Sequence, residues 1–545
     1  METTEELEQF LTAATEDGLL GRLLYRGAAW SLMRVNGVLP EDVEPLGKTI
    51  EVDLAEHGFA LLRAAMSLRS KAGSSPLTSK AFERAGNAFE AIVRNGDPEA
   101  GDRGFKRTLA ATAYHLAGYS AVAYSLFNEV SADLNSAPAE VGLMCLLLRD
   151  LDGLRSLVRE WLASPENSDE ALSKALQGEG SLEAALATVL NTGLYRALAY
   201  FDFALETGSE EVHTSAIELL SLTTRLANNA ANVPLWWISS LSRHLVDDLW
   251  GHSLHQVLPT QGPDGSEETY EDLRALFIGV LFSRKVSEVE LWPSQREAAA
   301  RSTDLADDLV VSLPTSAGKT RVAEIASLMT LSTGRRVLIV TPLRALSAQT
   351  ERSFRKTFEP LGFSVSSLYG ASGVSSSDED ALGSCSIVIS TPEKIDFALR
   401  SDPELLNDVG LIVLDEGHMI GPSEREIRYE TLVQRLLRRS DAGTRRIVCL
   451  SAILPSGEEL DDLTMWIRSD EPGEKVRCDW RPTRQRYGRL TWRGSDALLS
   501  LDLENDGPRI SKFVEQIAAR GKEKNPYPRV NAHLTLFAAW EFARK

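Results

Sequence analysis

Residues 307–320 read DDLVVSLPTSAGKT, and this stretch decides how the second half of the chain is built. The apolar run from Asp308 to Leu313 predicts a buried strand, and a helix is expected to begin at Arg321. The loop between them would present consecutive backbone N–H groups at a helix N-terminus, where the helix dipole also favours anions. Such a loop can cradle phosphate groups.

The same loop carries the side chains that phosphate binding needs. Lys319 would reach the terminal phosphates of a nucleotide, and the Thr320 hydroxyl would bind Mg2+. The general phosphate-loop pattern has glycine where this chain has Leu313, so the loop alone is also compatible with an ordinary helix start. The candidate phosphate-binding residues are Thr315, Ser316, Ala317, Gly318, Lys319 and Thr320.

A second motif strengthens this interpretation. The apolar residues 411–414 are followed by Asp415, Glu416, Gly417 and His418, which places two carboxylates at the end of a buried strand. An aspartate there can hold Mg2+ through water, while an adjacent glutamate can orient and deprotonate an attacking water. An isolated DEGH would be only a charged turn, but after SAGKT it predicts phosphoryl transfer.

The rest of the chain divides into two kinds of pattern. Before about residue 259, apolar residues recur at helical spacing, which predicts an irregular helical array or bundle; residues 81–127 set small residues beside aromatic ones, as in packed helix pairs. Later, short apolar runs at 336–341, 386–390, 409–414 and 446–450 alternate with helical stretches. Runs of this kind are buried on both faces, so the predicted class is an all-α part followed by an α/β domain with a mostly parallel sheet.

Residues 317–320 and 415–418 resemble the Walker A and DExH boxes of superfamily 2 helicases. The resemblance implies a RecA-like domain that uses ATP and Mg2+, with Lys319 and the acidic box in catalysis and Thr320 and Asp415 as metal ligands. Residues 291–295, LWPSQ, resemble the Q motif, which makes Gln295 the candidate for reading the adenine.

Two further segments are similar to the family's strand-gripping motifs. Residues 341–349 match motif Ia and residues 391–394 match motif Ib, although TPEK alone would read as a helix start with proline in its first turn. The resemblance implies contacts to the backbone of single-stranded or duplex nucleic acid, without a choice between DNA and RNA. The nucleic-acid candidates are Pro342, Arg344, Ala345, Gln349, Gly370, Thr391, Pro392 and Lys394.

The segments after the acidic box favour one branch of superfamily 2. Residues 424–436 are similar to a helix of the superkiller-type and archaeal repair helicases, and residues 450–455 resemble that branch's L-S-A-T motif. Ile453 replaces the usual threonine, which puts the coupling of ATP state to strand movement in doubt. From this motif, Ser451 alone is taken as a catalytic candidate. The other catalytic candidates are Lys319, Asp415, Glu416 and His418.

The predicted domains are a helical half (residues 1–258), a linker with a lead-in helix (259–290), a first RecA-like domain (291–500) and the start of a second (501–545). A helix at 510–520 and a strand at 533–538 would open that second domain. An arginine finger from a second domain contributes about 10³ to 10⁵ in rate, so the chain alone is expected to hydrolyse ATP very poorly. This expectation would suit a truncated helicase or half of a split one.

Charge is distributed very unevenly. The formal net charge of −20 looks unfavourable for nucleic-acid binding, but residues 1–300 hold 24 basic and 43 acidic side chains, whereas residues 301–545 hold 34 and 35. The acidic half is therefore predicted to repel nucleic acid and to bind a protein partner. Strand binding is assigned to the second half, where arginines cluster at 435–446 and 481–489.

Composition excludes several other classes. The four cysteines form no CxxC pair, which argues against a zinc ribbon or a disulfide framework. No apolar run approaches membrane-spanning length, so no membrane partner and a cytoplasmic location are expected. A phosphate-loop kinase or transporter ATPase would not need the Q, Ia and Ib segments in this order.

Two readings remain. The first is an ATP-dependent helicase or translocase acting on DNA or RNA. By analogy with other helicases that carry helical extensions, its expected biological role is in prokaryotic antiphage defence or genome repair. The alternative is an ATP-dependent scaffold, or half of a split helicase, inactive without a second RecA-like domain.

Overall fold

The computed structural model describes residues 3–16, 18, 21, 23–24, 46–97, 99–129, 136–175, 177, 181–263, 266–368, 384–452, 457–483, 487–493, 496–501, 509–514 and 539. Gly370, Ile453 and the strand predicted at 533–538 lie outside these residues.

Helices make up the described part of the helical half and continue to the lead-in helix, as the apolar spacing predicts. They are α1 (Thr4–Ala14), α2 (Lys48–Ala72), α3 (Pro76–Asn95), α4 (Arg103–Leu116), α5 (Ser120–Glu129), α6 (Pro138–Leu148), α7 (Leu151–Ala163), a 3-10 turn (Pro165–Asn167), α8 (Asp169–Lys174), α9 (Leu182–Thr207), α10 (Glu210–Asn229), α11 (Val233–Gly251), α12 (Leu254–Val257) and α13 (Glu267–Phe282).

Small residues let the helices of this half approach closely. A Cβ built on Gly58 of α2 would lie 2.9 Å from the Phe89 ring of α3, and one built on Gly86 of α3 would lie 3.0 Å from the Tyr114 ring of α4. Phe89 and Tyr114 are fully buried as a result. The pairing of small with aromatic residues predicted from the sequence is therefore the packing that joins α2, α3 and α4.

A seven-stranded sheet lies at the centre of the second half, here called the sheet half (residues 291–545). Its strands, in the order in which they lie side by side, are β3 (Val365–Leu368), β4 (Ile387–Ser390), β2 (Arg336–Val340), β5 (Val409–Leu414), β6 (Arg446–Ser451), β1 (Leu309–Ser312) and β7 (Val476–Arg477). The connecting helices are α14 (Pro293–Ser302), α15 (Lys319–Ser332), α16 (Arg344–Phe358), α17 (Pro392–Ser401), α18 (Glu424–Leu437) and α19 (Glu458–Ile467).

Every strand pair in this sheet is parallel, and the central strands β5 and β6 are buried along their whole length. All five predicted strands are present within one residue of their expected ends. The predicted class, helices followed by an α/β domain with a parallel sheet, is confirmed. Because the strands are parallel, the loops after β1, β2, β4 and β5 meet at one edge, which is where ligands bind in open α/β sheets.

The helix predicted from residue 510 is wrong for the part that the structure describes. Arg509–Val514 is strand β10, which pairs antiparallel with β9 (Asp496–Leu501), itself paired with β8 (Gly488–Arg493). Ile510 and Phe513 are both buried although they are three residues apart, because the register shifts between Ile510 and Val514. That irregularity imitates helical spacing, and the boundary predicted at residue 500 falls inside this sheet.

The lead-in helix α13 packs on the sheet half. Tyr270, Phe277 and Leu281 of α13 share an apolar core with Val322 and Ile325 of α15. The apolar face of α15, the helix after the phosphate loop, is therefore covered by α13, which precedes the Q motif. Among the described residues, no helix combines the length and the apolar character needed to cross a bilayer.

Candidate nucleotide cavity and nucleic-acid interface

The phosphate loop joins β1 to α15, which begins at Lys319, two residues earlier than expected. Gly318 caps the helix with a φ of 85°, and Ser316 has a φ of 66°, so the backbone turns through left-handed conformations that aim N–H groups into a concave loop. Leu313 replaces the usual glycine without opening the loop. It is buried in the core and its N–H donates to the Ser451 carbonyl at 3.0 Å, as a continuation of the strand.

Two side chains of the Q-motif segment hold the loop from behind. The Ser294 hydroxyl donates to the Ala317 carbonyl at 2.9 Å, and the Gln295 amide nitrogen donates to the Gly318 carbonyl at 3.0 Å. The Gln295 amide oxygen accepts from the Trp292 N–H at 2.8 Å, so both ends of this amide contact backbone. Its reading of an adenine stays a prediction, while its support of the phosphate loop is seen directly.

The remaining phosphate-loop residues differ in exposure. Thr315, Ser316 and Thr320 are exposed, Lys319 is partly buried, and Ala317 is fully buried. The roles predicted for these residues, contact with a phosphate or a metal ion, stay predictions.

The acidic box lies beside Lys319. The Lys319 amine is 3.4 Å from the Glu416 carboxylate, and Glu416 itself has a φ of 51°, a left-handed conformation that is uncommon outside glycine. Burial, together with the neighbouring Glu416 carboxylate, raises the pKa of Asp415 to about 6. The two adjacent carboxylates therefore repel one another in a partly desolvated site, and a cation bound there would relieve that repulsion.

Gly417 allows the box to turn toward the sheet. A Cβ at this position would lie 2.1 Å from the Cys449 sulfur, and the Gly417 N–H donates to the Leu450 carbonyl at 2.8 Å. Burial raises the pKa of the Cys449 thiol to about 12, so this cysteine is an inert packing residue.

A polar chain connects the acidic box to the next motif. The His418 ring nitrogen Nδ1 lies 3.4 Å from a Glu416 carboxylate oxygen and 3.3 Å from the Ser451 hydroxyl, which is fully buried. Burial lowers the pKa of His418, so the ring is neutral at physiological pH. The structure thus brings together Glu416, His418 and Ser451, three of the predicted catalytic residues.

Several of the predicted site residues line one cavity of about 590 Å³. Lys319, Thr320, Asp415 and Glu416 line one part of it, and Trp292 and Gln295 line another. The cavity is large enough for a nucleotide. Thr320 and Asp415 offer hydroxyl and carboxylate oxygens, the donors that Mg2+ prefers, so the residues present fit this ion.

Most of the predicted nucleic-acid residues lie at the same edge of the sheet. Pro342 lies two residues after the end of β2 and Thr391 lies directly after β4, and the Thr341 N–H donates to the Ser390 carbonyl at 2.9 Å. Arg344 and Ala345 are exposed at the start of α16, whereas Thr391, Pro392 and Lys394 are buried. Gln349 faces the nucleotide cavity, so the structure separates it from the rest of the set.

Arg425 lies in the segment 424–436, but the sequence motifs assign it no role. Its guanidinium donates to the Pro342 carbonyl, and its Nε lies 3.2 Å from the Glu393 carboxylate. It therefore links motif Ia to motif Ib from α18. Its position in the segment 424–436, shortly after the acidic box, is the sequence signal for a functional role. The sequence does not show which loops its side chain contacts.

Part of the arginine cluster at 435–446 lies inside the fold. Arg435 pairs with Asp396, and Arg445 and Arg446 are buried. Arg446 donates to three backbone carbonyls, among them that of Ser302 at 2.7 Å. Arg446 begins β6 and Arg445 lies just before it, at the sheet edge opposite the phosphate loop, so these two guanidinium groups stabilise the fold. Strand binding by the other arginines of the cluster stays a prediction.

Comparison with known proteins agrees with this geometry. Residues 292–463 match the DEAD/DEAH box helicase family. The chain is 34% identical over 214 residues to the ATP-dependent DNA helicase Hel308 of Pyrococcus abyssi, covering 38% of this chain and 28% of that protein. The corresponding protein of Pyrococcus horikoshii is 33% identical over 210 residues, covering 38% of this chain and 27% of that protein.

A longer similarity joins the chain to the Hachiman protein HamB of Bacillus cereus. The identity is 26% over 436 residues, covering 80% of this chain and 37% of that protein. Because the aligned share exceeds the whole sheet half, it extends into the helical half, where the motifs had shown no resemblance. The chain spans about a third of the length of these relatives. Motifs, fold and similarity together show that residues 292–463 form a DEAD/DEAH box helicase domain, and that this chain is similar to the archaeal Hel308 helicases and to HamB.

Proposed function

We propose that this chain binds ATP with Mg2+ and uses ATP hydrolysis to act on nucleic acid as a helicase or translocase. The observation that carries the proposal is the convergence of Lys319, Asp415, Glu416 and Gln295 on one cavity at the carboxyl edge of the sheet. Phosphoryl transfer depends on positioning and charge neutralisation, and this cavity offers an amine, two carboxylates and a phosphate-binding loop.

Each residue has a defined part in this proposal. The backbone N–H groups from Thr315 to Thr320 and the Lys319 amine bind phosphate oxygens, and Glu416 orients an attacking water and takes its proton. Thr320 and Asp415 hold Mg2+, which neutralises phosphate charge when bound. His418 and Ser451 join Glu416 to the end of β6 and so connect the hydrolytic residues to a second motif.

Nucleic acid is assigned to the neighbouring loops after β2 and β4. Pro342, Arg344, Ala345, Thr391, Pro392 and Lys394 lie there, with Arg425 bridging the two loops. These are groups suited to a sugar–phosphate backbone and they carry no base-reading pattern, so the proposal includes both DNA and RNA.

A role in prokaryotic antiphage defence is favoured over genome repair by one observation. The similarity to HamB covers 80% of this chain, whereas the similarity to the Hel308 proteins covers 38%. The acidic helical half is proposed to bind a protein partner, and the protein is proposed to be cytoplasmic.

The alternative is an ATP-dependent scaffold, in which the sheet half binds nucleotide but the helical half does the work by protein contact. The observation favouring it is that Arg149 of the helical half lines the nucleotide cavity. Under this alternative, loss of ATP binding would leave partner binding intact.

Lys319→Ala and Glu416→Gln test the proposal, with the exposed Lys356→Ala as control. Lys319→Ala should weaken ATP binding about 10- to 100-fold, because it removes a charged hydrogen-bond donor. Glu416→Gln should keep ATP and Mg2+ binding but stop nucleic-acid-stimulated hydrolysis. Titration with a fluorescent ATP analogue and a phosphate-release assay measure both effects.

Two outcomes would contradict these assignments. Unchanged nucleotide affinity in Lys319→Ala would remove the cavity as the ATP site. Lost nucleotide binding in Glu416→Gln would make Glu416 a metal ligand or a structural residue instead of the base.

A further inference from the structure

The strap, defined as residues 284–291, runs between the helical half and the phosphate loop. The N–H of Ser287 in the strap donates to the Arg149 carbonyl of the helical half at 3.0 Å. Four residues beyond the strap, Gln295 donates to the Gly318 carbonyl of the phosphate loop. One short stretch of backbone therefore contacts the helical half at one end and supports the loop at the other.

Two glutamates of the strap pair with arginines from different elements. Glu290 pairs with Arg149, which is contributed by the helical half. Glu288 pairs with Arg321 in the first turn of α15 and with Arg284, whose Nη1 lies 2.6 Å away. The strap is thus held by ion pairs to the helical half on one side and to the phosphate-loop helix on the other.

The backbone conformation of Arg149 and two hydrogen bonds of its guanidinium fix the position of its side chain. It ends α6 in a left-handed conformation with a φ of 58°, where glycine is the usual residue. Its side chain is 9% exposed, and its Nη1 donates to the carbonyls of Leu146 at 2.7 Å and Leu147 at 3.1 Å. Glycine would serve the backbone alone, so what arginine adds is a guanidinium fixed beside Glu290.

Arg149 also lines the nucleotide cavity. The wall formed by Arg149 and strap residues 286–290 faces the same space as Lys319 and Asp415. The cavity assigned to ATP is therefore closed on one side by a residue that lies outside the part of the chain matched to the helicase family.

A metal ion is a poorer explanation for the charged groups at this junction. Donor atoms of His115, Asp248 and Glu290 lie within 4.8 Å of one another. However, Arg69 pairs with Asp248 at 2.5 Å and Arg149 pairs with Glu290, so a divalent ion would have to displace both guanidinium groups. The cluster is an ionic contact between the helical half and the strap.

We infer that Arg149 is a positioning residue for the nucleotide: through Glu290 and the strap it holds one wall of the cavity, and so couples nucleotide binding to docking of the helical half. This inference rests on the proposed function, since it takes the cavity as the ATP site. Coupling of this kind is reciprocal, so ATP must favour the docked helical half by the same factor by which docking favours ATP.

The test compares the wild type with Arg149→Ala, Glu290→Gln and the double variant, with Arg94→Ala as control. Arg94 also lies in the helical half and pairs with Glu90 at 2.8 Å, within a single helix. Affinity for a fluorescent ATP analogue should fall about tenfold in either single variant. The double variant should be no weaker than either single one, and Arg94→Ala should bind as the wild type does.

Hydrogen exchange supplies a readout that a merely structural role would not move. In the wild type, the ATP analogue should slow exchange at residues 146–151 as well as in the phosphate loop. In Arg149→Ala, saturating analogue should still protect the loop but no longer residues 146–151. Glu290→Gln, which changes shape least, gives the same test if Arg149→Ala folds poorly.

The outcomes separate this inference from the proposed function. If the wild type binds no ATP analogue, the proposed function fails and the inference with it. If the wild type binds but Arg149→Ala and Glu290→Gln bind equally well, or their effects add independently, only the coupling is overturned.

Discussion

The helical half and the sheet half use charge in different ways. The helical half holds 20 basic and 35 acidic side chains and so most of the net charge, yet its partly buried ion pairs include those that face the sheet half, where Arg69 pairs with Asp248 and Arg149 with Glu290. The sheet half is almost neutral, and several of its arginines bond to backbone carbonyls inside the fold. Net charge thus describes the surface of each half but says little about which charged groups have structural roles.

The two halves also differ in how they place small residues. In the helical half, glycines such as Gly58 and Gly86 let whole helices approach one another over aromatic rings. In the sheet half, Gly318 and Gly417 lie in the two loops that form the nucleotide cavity, against Gln295 and Cys449. Close packing supports the architecture in one half and the chemistry in the other.

The largest expected effect tests the packing under the acidic box. Gly417→Ala would place a Cβ 2.1 Å from the Cys449 sulfur, so the free energy of unfolding should fall by about 3 kcal/mol. Gly443→Ala is the matched control, because no atom in the described part of the chain lies within 4 Å of a Cβ there. Urea unfolding measures the difference.

Relief of the clash can be tested directly. Adding Cys449→Ala to Gly417→Ala removes the sulfur, so the double variant should lose less stability than the sum of the two single variants. Simple additivity would mean that the contact with Cys449 is not what makes glycine necessary.

The next prediction concerns the pH dependence of stability, which should be larger in the helical half than in the sheet half. Burial, with Arg243 and Arg69 nearby, lowers the pKa of His244 in the helical half from its ordinary 6.5 to about 3, although Asp248 opposes the shift. Below pH 6.5 the unfolded chain takes up a proton that the folded chain does not, so stability is lost as pH falls. Between pH 6.5 and pH 5 the loss should be about 2 kcal/mol for this residue.

Urea unfolding at pH 7 and pH 5, with proteolysis to show which half opens, measures that loss. His244→Gln should flatten the pH dependence, and the helical half should open first at pH 5. Burial also lowers the pKa of His57, His115, His213 and His255, all in the helical half, in the same direction. An unchanged pH dependence in His244→Gln would mean that His244 is protonated in the folded protein.

The smallest expected effect concerns the link between motifs Ia and Ib. Arg425→Ala removes partly exposed bonds to Pro342 and Glu393, so nucleic-acid binding should weaken about fivefold, which corresponds to about 1 kcal/mol. Arg428→Ala is the control, since Arg428 lies one turn further along the same helix and pairs with Glu424 of that helix. If the two variants bind nucleic acid with equal affinity, the link made by Arg425 does not contribute to nucleic-acid binding.

Sequence patterns predicted the sheet half well where the physics is local. Near-continuous apolar runs placed five parallel strands, and SAGKT and DEGH placed the groups that meet in the cavity. Strand β3, with Ser366 and Ser367 at its centre, has too little apolar character to be recognised. Ile510 and Phe513 suggested a helix because an irregular register imitates helical spacing.

Contacts between distant segments were beyond the reach of sequence patterns. Nothing in the local sequence around Arg149 indicates that it meets Glu290, because the pairing depends on how the helical half docks. Likewise, the arginines at 435–446 look like a basic surface in the sequence, and only the fold shows that Arg445 and Arg446 are buried.

The position of α13 bears on how this protein can be dissected. Helicase motifs begin at residue 291, but Tyr270 and Phe277 of α13 cover α15, the helix that carries Lys319. A fragment that starts at the first motif would expose that apolar face to water and lose the strap as well. A fragment designed to study the sheet half by itself therefore has to start upstream of residue 267, well before the segment that matches the helicase family.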